Sequence, residues 1–120
     1  MRMLPMTTYK QGDTIVINVP FTDFSEEKPR PALVLSSNEF NKKNKVTIIV
    51  PITSSITGDE YEVEIKGSEY QMAGLIKSGV VKSQIILTLD NTKIIRKLGT
   101  FPEGLFKKVI EKVLENLSRN

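Results

Sequence analysis

The 120 residues include no histidine and no cysteine. The first absence removes the commonest general base at neutral pH and the commonest metal ligand. The second excludes disulfides, thiolate nucleophiles and cysteine-bound zinc. Any chemistry must therefore come from arginine, lysine, hydroxyl, carboxylate or amide groups. No stretch approaches the roughly 20 apolar residues of a membrane span. Met1 to Lys10 holds no apolar run of the kind a signal peptide needs. The acidic residues Asp59, Glu60, Glu62 and Glu64 read as the outer face of a strand and lack calcium-loop spacing, so no metal site is expected. Repeats, heptads and low-complexity tracts are missing too. The expectation is a soluble, cytoplasmic protein with no metal and no cofactor.

What remains is a chain of ordinary composition, 39% hydrophobic and 26% charged, which is enough to build a modest core. Residues 1–120 read as a single domain, of a size that often dimerises. The net charge of +3 permits a polyanionic partner without requiring one.

Gly12-Asp13 is a turn signal that opens the β-branched run Thr14 to Val19, closed by Pro20. A polar loop is expected from Phe21 to Pro29, then a strand from Pro31 to Leu35. Asn38 to Lys45 reads as a lysine-bearing loop. Val46 to Val50 reads as a buried strand whose exit Pro51 bends. Thr53 to Asp59 is a loop, and Tyr61 to Ile65 alternates like a half-buried strand. Ser68 to Leu75 suits a helical turn or an ordered loop. Gly79 to Leu89 suits a strand, with Lys82-Ser83-Gln84 as a possible break. A helical turn and a short strand are expected over Thr92 to Thr100. Leu105, Phe106, Val109, Ile110, Val113, Leu114 and Leu117 share one face of a closing helix, as core or as dimer packing. Thr100 and Glu103 have capping-box spacing. Short connections favour antiparallel pairing. The predicted class is mainly β (α+β): a small SH3-like antiparallel β-barrel with a C-terminal amphipathic helix.

Two runs aim polar groups from strand ends. In Arg30-Pro31-Ala32-Leu33-Val34-Leu35-Ser36, Arg30 offers five donors and a permanent charge, suited to phosphate. It serves equally as a surface partner for Glu26 or Glu27. In Pro51-Ile52-Thr53-Ser54-Ser55, the three hydroxyls suit phosphate or ribose contacts, or simply cap a turn. Lys42, Lys43, Lys45, Lys77, Lys82, Arg96 and Lys97 either converge on a polyanion groove or are scattered solubilising charge. The aromatics form no ribonucleoprotein motif and read as core or edge residues.

At these runs the chain resembles the MazF/PemK family of toxins from toxin–antitoxin systems. Further points of likeness are Gly12-Asp13, the Val80 to Leu89 segment with Gln84, and Leu98-Gly99-Thr100 before the last helix. The resemblance spans about residues 9 to 117. It implies a metal-independent endoribonuclease for single-stranded RNA, a homodimer and a cognate antitoxin partner. It also implies that Arg30 and Thr53 are the catalytic pair. Ser25 and Glu26 match a Ser-Glu of the loop before the arginine, although that loop lacks the glycines of many members. Gln84 matches a glutamine near the RNA groove. Glu26 is the expected proton acceptor. Lys28, Ser54, Ser55, Lys77 and Lys82 are expected to help bind RNA, with products ending in 2′,3′-cyclic phosphate and 5′-hydroxyl. The related CcdB toxin shares the fold and poisons gyrase without cutting RNA. A gyrase-binding toxin or a non-catalytic nucleic-acid-binding barrel is therefore the rival expectation.

Overall fold

The computed structural model describes residues 8–19 and 28–119. The β-branched run after Gly12 forms β1 (Asp13–Val19), which pairs antiparallel with β2 (Lys28–Val34) from Thr14↔Leu33 to Val19↔Lys28. Lys28, Pro29 and Arg30 are thus strand residues, three positions ahead of the expected start. β3 (Val46–Thr53), β4 (Glu62–Ile65), β5 (Gly79–Lys82), β6 (Leu87–Asp90) and β7 (Ile94–Thr100) complete the sheet. The expected break after Lys82 is the gap between β5 and β6. A 3-10 turn at Asn91–Lys93 precedes β7, as the sequence suggested.

The strand order is β4-β5-β3-β2-β1-β7, with β6 also on β3, and every pairing is antiparallel. The class, the antiparallel pairing and the C-terminal helix are as expected. Among the described residues the ladder does not close into a ring, and β4 and β7 are its edges. A short helix, α2 (Glu69–Ala73), packs against β7. That contact depends on a missing side chain: a Cβ on Gly99 would lie 2.5 Å from the Met72 carbonyl oxygen. Since α2 joins β4 to β5 along the chain, it ties one edge of the sheet to the other.

The sheet is apolar on both sides because β2 and β3 alternate. Leu33, Val50 and Ile52 pack with Val63, Ile65 and Val81 beneath the last helix, α3 (Glu103–Leu117). Ala32, Val34 and Ile49 pack on the opposite side with Ile15, Ile17, Leu89 and Ile94. From α3, Leu105, Val109 and Val113 are buried, each worth about 1.5–3 kcal/mol relative to exposure. Leu114 and Leu117 are 60% and 64% exposed, so they do not belong to the core of this chain.

Three local expectations are corrected. Asn38 to Lys45 contains a helix, α1 (Asn38–Lys43), because the Ser37 hydroxyl accepts the Phe40 N–H and Asn41 turns inward to bond Ser36. Pro51 does not end β3, which runs on to Thr53. Pro51 stands between the ladder to β6, ending at Ile49, and the ladder to β5, starting at Ile52, where no strand on that side requires an N–H. The capping box does not form: Thr100 is held in β7 opposite Asp13, and Pro102 takes the N-cap position without a side-chain bond.

Candidate nucleic-acid cleft

The β2–β3 ladder runs Val34↔Ile49, Leu33↔Val50 and Ala32↔Pro51, and then stops. Prolines explain where it stops. A proline nitrogen cannot donate, so Pro29 and Pro31 fit a paired strand only with that nitrogen turned away from the partner. β1 stays paired along all of β2, which leaves the β3 side without donors at those two positions. Beyond Ala32 the strands part, and a cleft of about 480 Å³ opens between them.

Continuing the same register by two residues sets Arg30 across from Thr53, on the same face of the sheet. Both residues line the cleft and both are half-buried. Thr53 is also fixed from its other side by pairing with Val80 of β5. Its Oγ1 accepts the Ser55 N–H at 3.1 Å, which leaves its own hydroxyl proton available to a ligand. Gly79 lets β5 approach this closely, since a Cβ there would lie 2.6 Å from the Thr53 carbonyl oxygen. The Gly79 N–H donates to the Tyr70 hydroxyl at 3.0 Å, anchoring the start of β5.

Ser54 and Lys77 line the same cleft, as does Arg96 from β7. The described lining thus carries three cations and no carboxylate, a surface built for a polyanion. Other expected site residues lie elsewhere. Lys28 is exposed at the start of β2 outside the lining, and Ser55 contributes through its backbone. Lys82 is turned to Glu62 and Thr57 and is not on the cleft wall. Gln84, half-buried in the turn after β5, is also off the wall, and its Oε1 has no partner among the described residues. Ser25 and Glu26 lie outside the described residues.

The Glu62–Lys82 pair has a positional consequence. Glu62 accepts the backbone N–H groups of Thr57 and Gly58 and the Thr57 hydroxyl, so it pins the loop that follows Ser54. Lys82, followed by Thr57, holds the Glu62 carboxyl down at about 2 from its ordinary 4.5. Asp90 caps the 3-10 turn, and its carboxyl is lowered by the Thr92 N–H and hydroxyl.

Residues 10–117 match the family model described as PemK-like, MazF-like toxin of type II toxin-antitoxin system. The chain belongs to this toxin family. Among solved structures, MazF from Deinococcus radiodurans is 24% identical, with a TM-score of 0.77 over 93% of this chain and 98% of that one. A chain of the MazE–MazF structure from the same organism is 25% identical, with a TM-score of 0.76 over 95% and 100%. An endoribonuclease from a mycobacterial species is 18% identical, with a TM-score of 0.76 over 93% of each chain. No relative among curated proteins matches it.

For this PemK-like toxin, sequence reasoning identified Arg30, Thr53, Ser54 and Lys77. Arg96 was one cation among seven, and only the register Val16↔Arg96 brings it to the cleft. Of the loop 75–78, Lys77 was expected at the site, and Leu75, Ile76 and Ser78 line the cleft as well. The loop's signal was the pair of glycines, Gly74 and Gly79, that bracket it.

Proposed function

We propose that this toxin cuts single-stranded RNA without a metal ion, holding the scissile phosphodiester between Arg30 and Thr53. The observation that carries the reading is that Arg30 and Thr53, each two residues beyond the last β2–β3 pair, line one cleft together with Lys77 and Arg96. Supporting it, the solved structures of like fold include an endoribonuclease and an endoribonuclease with its cognate antitoxin, both mycobacterial.

In the proposed reaction the adjacent 2′-oxygen attacks phosphorus, forming the O2′–P bond as the P–O5′ bond breaks. Charge builds on the non-bridging oxygens, where the Arg30 guanidinium clamps it. Thr53 donates its hydroxyl proton to the same phosphate. Glu26, a carboxylate four positions before Arg30 in the sequence, accepts the 2′-hydroxyl proton. The 5′-oxygen leaves hydrogen-bonded to the Arg30 guanidinium, which stays charged, and takes its proton from water; the hydroxide left is neutralised by the proton held on Glu26. The upstream fragment ends in a 2′,3′-cyclic phosphate. Lys77, Arg96 and Ser54 hold the neighbouring phosphates. The toxin acts in the cytoplasm as a homodimer and is silenced by a cognate antitoxin.

The test is digestion of randomised transcripts in EDTA with end mapping. Cyclic-phosphate and 5′-hydroxyl ends support the reading, whereas a magnesium requirement or intact RNA overturns it. Arg30→Ala should fold and lose about 3–4 kcal/mol of transition-state stabilisation, a few hundredfold in rate. Full activity in that variant removes Arg30 from the mechanism.

A further inference from the structure

Folding leaves Ile76 99% exposed, so its side chain contributes nothing to the core. A lone exposed apolar residue is ordinary on a protein surface. Ile76 differs in three respects. It stands in the wall of the cationic cleft, next to Lys77 in the chain, in the same lining as Arg30 and Thr53. Its loop is short and held at both ends. Gly74 ends α2 in a left-handed conformation against Leu98, and Gly79 is bonded to the Tyr70 hydroxyl. Finally, the described wall contains no aromatic side chain, and Ile76 is the most exposed large hydrophobic on it.

Single-stranded RNA presents unstacked base faces along with its phosphates, and proteins that bind it cover those faces with apolar or planar groups. On the described wall the cations suit phosphate contacts, and Ile76 presents a solvent-exposed aliphatic face to a base. We infer that Ile76 is the platform for one base beside the scissile phosphate and sets base preference at that position. The inference rests on the ribonuclease reading for which phosphate is cut, but base packing on Ile76 is measurable without cleavage. Ile76 is a specificity-determining residue and takes no part in proton transfer.

The experiment compares the parent, Ile76→Ser and Ile76→Leu in two assays. One is binding of a fluorescein-labelled random single-stranded RNA decamer in EDTA, each variant also carrying Arg30→Ala to prevent cutting. The other is end mapping on randomised transcripts with Arg30 intact. Ile76→Ser should melt with the parent, since the side chain has no packing to lose. It should bind RNA about fivefold to tenfold more weakly and flatten base preference at one position flanking the cut. Ile76→Leu should restore both. Unchanged affinity and an unchanged cleavage profile in Ile76→Ser overturn the inference. If the parent binds RNA without cutting it, the ribonuclease reading falls and the binding comparison alone decides the role of Ile76. If the parent neither binds nor cuts RNA, both proposals fall.

Discussion

Gly79→Ala tests the geometry that positions Thr53. The added Cβ would lie 2.6 Å from the Thr53 carbonyl oxygen and 3.2 Å from its carbonyl carbon, where Cβ contacts under 3.0 Å essentially never occur. Something must retreat by at least about 0.4 Å. β5 cannot easily do so, because Gly79 pairs with Ile65 and bonds Tyr70, and Val81 is locked to Ile52. The displacement falls on Thr53. Overpacking of this kind costs about 1–3 kcal/mol. For a domain of this size that corresponds to a fall in Tm of roughly 3–15 °C. On the proposed mechanism a displaced Thr53 would no longer meet the phosphate held by Arg30, and sub-ångström misplacement should slow cleavage by about tenfold to a hundredfold. Calorimetry and single-turnover cleavage in EDTA read the two effects on one preparation. Gly104→Ala is the control: its Cβ enters open space on α3, and the substitution should add about 0.5–1 kcal/mol of stability. Gly79→Ala that melts with the parent would refute the close approach of β5. A variant that melts lower yet cuts at the parental rate would refute the claim that the position of Thr53 matters.

Thr53→Val keeps the shape and removes the donor, so kcat/KM should fall about tenfold to a hundredfold, and an unaltered rate would take Thr53 out of the site. Val109→Ala leaves a void under α3 at a fully buried position and should cost about 1–3 kcal/mol in urea denaturation, with a change below a few tenths arguing against the packing described. Glu62 sets an acid limit. Its folded carboxyl sits near 2 against 4.5 when unpaired, so its stabilisation is complete above pH 4.5 and disappears as pH falls from 4.5 towards 2. Denaturation of the parent and Glu62→Gln across that range should show a gap that closes with acid, and a pH-independent gap would contradict the pairing with Lys82.

Local chemistry made much of this legible from sequence. The β-branched run of β1, the apolar stretch of β3 and the one-sided face of α3 are written in side-chain periodicity. Arg30 and Thr53 stood out because each ends an apolar run. What sequence does not carry is register. Nothing in the spacing of residues 30 and 53 opposes them; the ladder Ala32↔Pro51 does. The fates of two cations were hidden for the same reason. Lys82 is engaged by Glu62, 20 residues earlier, and Arg96 reaches the cleft through its pairing with Val16. Helix α1 escaped notice because Asn38–Lys43 is polar on most sides, and its stability rests on Ser37 and the inward turn of Asn41. Pro51 misled because a proline commonly ends a strand, and the exception requires two different neighbours on one side of β3.

That shared strand bears on how the molecule breathes. β3 has partners along both flanks, so its amides should be among the last to exchange with deuterium. β7, paired only with β1 within the sheet, should exchange sooner along its outer rim. Thr53 lies past the end of the β2 ladder and is paired with β5 alone, and Arg96 is paired with β1 alone, so both should exchange sooner than Ile49, which has a partner on each side. Local opening should therefore reach the walls of the cleft before it reaches the middle of β3.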